Sequence, residues 1–303
     1  MPSASPKISF IGFGEAAQAF VHGLSGVDHG APMRAYDIKS GGPAARDFAD
    51  ACARLGIGNA SSNAEVCANA DIIFSLVTAD QAEAAAQEAS EHSLNGALYL
   101  DGNSCAPETK CRSAECIDKA GGRYVDVAIM TPVHPKLHKS PCLLAGPHGE
   151  AARAAMADLG MDVTVAGGEV GDASMRKMIR SVMIKGLEAL TLECFLAARK
   201  AGIEGELIIS LEGSFPGFDW QRRAPYMIER ALTHGVRRAA EMREVAQTLR
   251  DLNIDPHMVD ATVERQHEAG HLGLDADVLG AKDLAALTDG MLSALKQGQP
   301  DAE

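Results

Sequence analysis

Three groups of side chains in this sequence have the types and spacing to do chemistry. Lys177, Ser181 and Lys185 recur every four residues, so in a helix they share one face. A lysine near a helix start that faces a cleft is partly desolvated. Its pKa falls, and the amine can then act as general base or acid. The plainer reading is a solvated surface lysine. His134 and His138 stand four apart in PVHPKLHKSP, a metal-binding spacing if the stretch were helical. Pro132, Pro135 and Pro141 make it a loop instead, so the reading is a loop lining a pocket, with no metal. His234, Arg238 and Glu241 share a helix face away from the stripe Leu232, Val236, Ala239, Met242, Ala246 and Leu249. That face is either a solvated charged surface or a wall that binds a substrate carboxylate.

These groups need elements to hold them. Lys7 to Ala17 reads KISFIGFGEAA, a short buried strand, a glycine break and a helix. Strand, turn and helix give G-x-G-x-x-A its meaning as a dinucleotide-binding turn. Gly12 permits the turn, Gly14 lets a pyrophosphate approach, and Phe13, Glu15 and Ala16 complete the segment around the phosphates. Met33 to Ile38 predicts a second strand carrying Asp37, twenty residues after Ala17, where a carboxylate can accept from ribose hydroxyls. That predicts NAD as cofactor, with NADP possible because Lys39 lies two residues on. The alternative for Asp37 is a cap on a turn. Strands are predicted at 71–77, 97–101, 124–130, 142–145 and 161–165, with helices between them. The class is therefore α/β, a doubly wound parallel sheet with ligands at the carboxyl ends of its strands. Val77 and Thr78 sit at one such end, and Asn103 and Ser104 at another. From Asp172 to Ala201 a long helix runs without proline. Beyond it the pattern predicts helices at 226–253, 256–269 and 276–296. The expected domains are 1–168, binding the dinucleotide, and 169–303, an all-helical domain joined through the long helix.

Composition bounds the partners. The 303 residues are 46% hydrophobic and 23% charged, ordinary for a globular chain. A net charge of -13 argues against nucleic acid. No apolar run approaches the ~20 residues of a membrane span. The seven cysteines include no C-x-x-C pair, and the polar N-terminus runs directly into the first strand, so the expected location is cytoplasmic.

The chain resembles the β-hydroxyacid dehydrogenase superfamily, which includes 6-phosphogluconate and 3-hydroxyisobutyrate dehydrogenases. It is most similar to an uncharacterised 6-phosphogluconate dehydrogenase-like branch whose turn reads GFGEAA. Asp101 to Pro107, DGNSCAP, resembles the family's D-x-S-T-x-x-P loop beside the nicotinamide and substrate, with Asn103 replacing the first hydroxyl residue. Gly171 to Lys177, GDASMRK, resembles G-x-G-x-x-x-K and places Lys177 on the catalytic lysine. Ser181 stands where the family usually has asparagine. The substrate loop D-A-P-V-S-G-G falls on Asp126 to Pro132, where Met130, Thr131 and Pro132 rebuild the grip. The K-D pair falls near Arg237-Arg238.

The resemblance implies a Rossmann domain followed by an all-helical substrate and dimerisation domain. It implies an NAD(P)-dependent oxidoreductase moving a hydride between nicotinamide and a small hydroxy acid, the oxo acid in reverse. Lys177 would be the general acid/base, with Ser104 and Asn103 bonding the substrate or carboxamide. Met130, Thr131, Ser181, His234 and Arg238 would form the substrate side. The expected partners are a small carboxylate-bearing substrate and a second copy of the chain in a homodimer. Two alternatives stand beside this reading: an imine reductase-like enzyme, and a non-catalytic dinucleotide-binding sensor or scaffold.

Overall fold

The computed structural model describes residues 5–27 and 32–297, and the chain forms two compact units that divide after Met178. The first unit opens with β1 (Ile8–Ile11), α1 (Glu15–Leu24), β2 (Arg34–Tyr36), α2 (Ala45–Arg54), β3 (Gly58–Asn59) and α3 (Asn63–Cys67). It continues with β4 (Ile72–Ser75), α4 (Ala82–Ser90), β5 (Leu98–Asp101), α5 (Pro107–Lys119) and β6 (Arg123–Ile129). It closes with β7 (Cys142–Ala145), α6 (Gly149–Asp158), β8 (Val163–Gly167) and the start of α7 (Asp172–Ala201). The eight strands form one sheet in the order β3-β2-β1-β4-β5-β6-β7-β8. The first six follow the dinucleotide-binding order, with the switch point between β1 and β4.

Both faces of this sheet are covered. Phe10 and Phe74 stack on one face at 5.3 Å, among residues of α1, α2 and α6. Their strand neighbours Ile11 and Ile73 point to the other face and pack with Tyr99, Tyr124, Ala85 and Ala89. Strands buried on both sides are mostly apolar, hence ISFI and IIFS, in each of which a single serine, Ser9 or Ser75, is the exception.

The sheet departs from an all-parallel reading at one place. β6 and β7 pair antiparallel, Asp126 opposite Ala145 and Ile129 opposite Cys142. A parallel return needs a crossover of a dozen or more residues, usually a helix. Only a 3-10 turn at Leu137–Lys139 lies between these two strands. That turn, in the proline-rich stretch, packs along α1, with the buried His138 ring against Gly23. His138 of the loop therefore packs against a helix, while His134 stands exposed.

The second unit contains the rest of α7, α8 (Glu204–Ser214), α9 (Trp220–Asp251), α10 (His257–Gly270), α11 (Ala276–Leu279) and α12 (Leu284–Gln297). Its core gathers Leu192, Phe195, Trp220, Ile228 and Leu287. α9 and α10 cross closely at Gly235, where a Cβ would lie 2.3 Å from the Gln266 carbonyl oxygen and 2.6 Å from the Gly270 nitrogen. Among the described residues, no helix is long and apolar enough to cross a membrane.

Candidate active site

β1 runs into a turn that only glycine can make. Gly12 has φ +83°, and a Cβ there would lie 2.6 Å from the Leu76 carbonyl oxygen. At Gly14 a Cβ would meet nothing within 4 Å. Gly14 is also the N-cap of α1 and makes no side-chain capping bond. Bare backbone at the positive end of a helix is an anion cradle, and these residues fit the pyrophosphate of a dinucleotide. Phe13 is buried edge-on to Phe48, and its N–H donates to Asp37 Oδ2 at 2.7 Å. It thereby ties the glycine turn to the end of β2. Glu15, exposed, and Ala16, half-buried, occupy the first turn of α1.

Asp37 is only 8% exposed at the end of β2. Its second oxygen accepts the Lys39 N–H at 3.0 Å and caps the 3-10 turn Ile38–Gly41. The capping role is thus present, and each carboxylate oxygen keeps a lone pair for a ribose hydroxyl. Lys39 is exposed beside it.

At the ends of β4 and β5 two loops are locked together. Asn103, 4% exposed, accepts the Val77 N–H on Oδ1 at 2.7 Å and donates from Nδ2 to Ser75 Oγ at 3.0 Å. Its amide ties one loop to the other. The expectation of a substrate-facing Asn103 gives way to a positioning role. Val77 is half-buried and Thr78 exposed in the same region. Ser104 is half-buried, and Lys177 Nζ donates to its Oγ at 2.7 Å, joining residues 73 apart in sequence. Lys177 is half-buried on the second turn of α7. Its charge reaches β7: burial pushes the Cys142 thiol up to about 12, with Lys177 pulling the other way. Met130, half-buried, and Thr131, exposed, follow β6.

The expected charged wall is arranged differently. Ser181, buried, is 3.4 Å from Lys185 Nζ, and Lys185 pairs with Glu241 at 2.8 Å. Arg238 is buried and paired with Glu188 of α7. Burial lowers its pKa, with Glu241 opposing. Val236, placed in the apolar stripe from sequence, is half exposed. The buried face of α9 instead runs through Leu232, Gly235, Arg238, Ala239, Met242 and Val245. The close crossing at Gly235 turns this face inward and takes Arg238 with it. The open carboxylate-binding face is corrected on this point, because the arginine's charge is already met inside the helical unit. His234 is half-buried one residue from the crossing.

Comparison with known proteins sets this geometry in a family. Residues 7–103 match the model for "NADP oxidoreductase coenzyme F420-dependent", and residues 198–269 match a domain of unknown function, DUF1932. A conserved hypothetical protein from Sinorhizobium meliloti 1021 is 35% identical, covering 95% of this chain and 97% of its own, with a TM-score of 0.69. The conserved protein MTH1747, of unknown function, is 28% identical over 95% of this chain and 99% of its own, with a TM-score of 0.66. Its structure is described as similar to 3-hydroxyacid dehydrogenases. This chain belongs to the β-hydroxyacid dehydrogenase superfamily. The superfamily fold is also that of Mycobacterium tuberculosis 3-hydroxyisobutyrate dehydrogenase, at a TM-score of 0.71 and 13% identity over 94% of this chain and 99% of that one.

This member of the superfamily also carries a buried polar cluster that sequence reasoning missed. Lys110 of α5 is completely buried. Its Nζ donates to the Asp101 carbonyl oxygen at 2.6 Å and to Asp101 Oδ1 at 2.9 Å, and lies 3.6 Å from Asp126 Oδ1. Tyr124 donates its hydroxyl to Asp101 Oδ2 at 2.6 Å. Burial pushes the Lys110 ammonium down, but Asp101, Cys105 and Asp126 outweigh it and hold the group above the ordinary lysine range. The signal was available. Lys110 sits in register with the buried Ser113, Ala114 and Ile117, on the inward face of α5. Asp101 and Asp126 are the only charged residues among the buried positions of their strands, and a buried charge requires a partner. Among the described residues no group of three or more His, Cys, Asp or Glu side chains could hold a metal ion.

Proposed function

We propose that the chain is an NAD(P)-dependent oxidoreductase that exchanges a hydride with the carbinol carbon of a small hydroxy acid, with Lys177 as general base. One observation carries this reading: Lys177 Nζ donates to Ser104 Oγ at 2.7 Å, on the loop that follows β5. A proton-accepting amine and an orienting hydroxyl are thereby held together at the carboxyl end of a dinucleotide-binding sheet. The nicotinamide, when bound, supplies the hydride acceptor. The chain's own residues supply the rest. Gly12 and Gly14 admit the pyrophosphate, and the carboxylate of Asp37 receives the ribose and disfavours an added phosphate, which supports NAD over NADP. Asn103 fixes the loop that presents Ser104, and Ser104 orients the amine of Lys177. As the substrate is oxidised, Lys177 takes its hydroxyl proton; in reverse it returns that proton to the carbonyl oxygen. Met130 and Thr131 stand on the substrate loop.

The working form is a homodimer paired through the helical unit. Met183, Ile209, Phe215 and Val236, each half exposed or more, support that reading. The test of the activity uses NADH carrying deuterium at the transferring position, offered with a panel of small oxo acids and cyclic imines. Deuterium appearing on the carbinol carbon of a hydroxy acid is the expected result. Transfer to cyclic imines alone, or cofactor binding with no transfer to any acceptor, would replace this reading with an imine reductase or a sensor.

A further inference from the structure

Two parts of the chain must meet for Lys177 to reach Ser104, and both end in the same buried cluster. The loop after β5 is anchored at Asp101, whose Oδ1 accepts the Asn103 N–H at 3.0 Å. The start of α7 is anchored at Asp126, whose Oδ2 accepts the Gly171 N–H at 3.2 Å and the Ser174 N–H at 2.9 Å. Gly171 has φ +103° and its missing Cβ leaves room for Pro107, so the helix start is also seated on the beginning of α5. A carboxylate facing two N–H groups at a helix N-terminus is favourable both as a cap and against the dipole. Asp101 and Asp126 lie on neighbouring strands, directly opposite each other in the β5–β6 register. Two carboxylates side by side and out of water repel strongly. The Lys110 ammonium lies between them.

We infer that Lys110 is a positioning residue: it bridges Asp101 and Asp126 and so holds the Ser104 loop and the Lys177 helix in register. The role deepens the proposed general-base reading and rests on it only for its effect on turnover. Without the ammonium the two facing carboxylates repel, and relieving that repulsion by displacement or protonation disturbs the anchors on both sides. Both segments then respond together, because they share one strut. A residue that merely stabilised the fold would weaken the whole Rossmann unit without singling out these two segments.

The test is amide hydrogen exchange by mass spectrometry on the full chain, comparing wild type with Lys110→Met. The expected result is faster exchange at 103–107 and 170–175 together, by ~2- to 10-fold, the range that corresponds to losing one net hydrogen bond at each anchor. Segments in β1 and β4 should keep their wild-type rates. Unchanged exchange at both segments, or a uniform rise across the sheet, overturns the inference. If Lys110→Met does not fold, Asp126→Asn decides, since it breaks the strut with a smaller change. Acceleration at both segments supports the strut, and acceleration confined to 170–175 overturns it. Turnover adds the second readout: kcat should fall in Lys110→Met while KM for the cofactor stays within about twofold. Because exchange needs no substrate, the two ideas fail separately. Altered exchange with unaltered turnover keeps the strut and removes only its link to turnover, the base role being decided by Lys177→Ala, while unaltered exchange rejects the strut alone.

Discussion

At the scale of single residues, the clearest lesson is Asp37. One carboxylate accepts the Phe13 N–H and the Lys39 N–H, so it shapes the glycine turn in addition to the ribose-binding role proposed for it. A substitution that removes the side chain loses both bonds, whereas Asp37→Asn removes the charge, keeps the shape and gives up only one of the two accepted N–H bonds. We expect Asp37→Asn to raise kcat/KM for NADP(H) relative to NAD(H) by ~10-fold, about 1.4 kcal/mol. A wild type that already favours NADP(H), or a ratio that does not move, would shift attention to the exposed Lys39. The residue scale also shows where sequence reading ends. The types at Lys177, Ser104 and the two turn glycines were legible because each sits in a motif with both flanks present. Lys110 was not, because a lysine in PETKCRSAECIDK looks like solvated helix until its heptad position is compared with Ile117. Arg238 misled for the opposite reason, since its burial is decided by a helix crossing that its own helix does not reveal.

Elements were legible where the periodicity was strong, and the exceptions have identifiable causes. The bounds of α7, Asp172–Ala201, follow directly from a helical pattern that no proline breaks and only Gly186 interrupts. α9 begins at Trp220 rather than Tyr226, because Asp219 caps it by accepting the Arg222 N–H and Pro225 is accommodated inside. α8 has no strong amphipathic stripe, and β3 is only two residues long, so neither announces itself. The crossing at Gly235 makes a prediction at this scale. Gly235→Ala forces α9 and α10 apart, because the new Cβ meets backbone; it should destabilise by about 1–3 kcal/mol in urea unfolding. Gly213→Ala in α8, where a Cβ meets nothing within 4 Å, should be neutral or stabilising by up to about 1 kcal/mol. Equal effects would remove the argument for a tight crossing. The 3-10 turn against α1 makes another. Burial, and secondarily Lys139, lower the pKa of His138. The unfolded chain therefore binds this proton more readily, and stability rises with pH between the folded and unfolded values. The contribution is complete above the ordinary histidine value and is lost as pH falls through the folded one. The urea midpoint should be lower at about pH 5.5 than at about pH 7.5, and His138→Leu should shrink that difference. An identical pH dependence in the variant would assign the effect to other groups.

For the whole molecule, the class of fold was legible and the strand count was nearly so, because a βα alternation dictates a parallel sheet. The antiparallel β6–β7 pair was hidden by reading alternation past a segment that has no helix to make the crossover. The two compact units divide inside α7, after Met178, whereas the change of pattern in the sequence lies at the glycine pair before it. The exposed apolar side chains of the helical unit give the prediction at this scale. Sedimentation equilibrium should return a mass near twice 31.8 kDa. Met183→Glu or Ile209→Glu should shift it toward the single-chain mass. A wild type that sediments as a single chain at micromolar concentration would contradict pairing.

The central claim is that Lys177 moves the substrate proton, and the most direct measurement is turnover of Lys177→Ala beside Lys185→Ala. A positioned general base contributes ~10²–10⁴-fold. Lys185 lies ~12 Å further along the helix axis and is paired with Glu241. With the oxo acid found by deuteride transfer, kcat of Lys177→Ala should fall by at least ~10²-fold while its NAD(H) dissociation constant stays within a few-fold. Lys185→Ala should retain most of its turnover. Near-normal kcat in Lys177→Ala, or a collapse in Lys185→Ala with Lys177→Ala spared, would contradict the account.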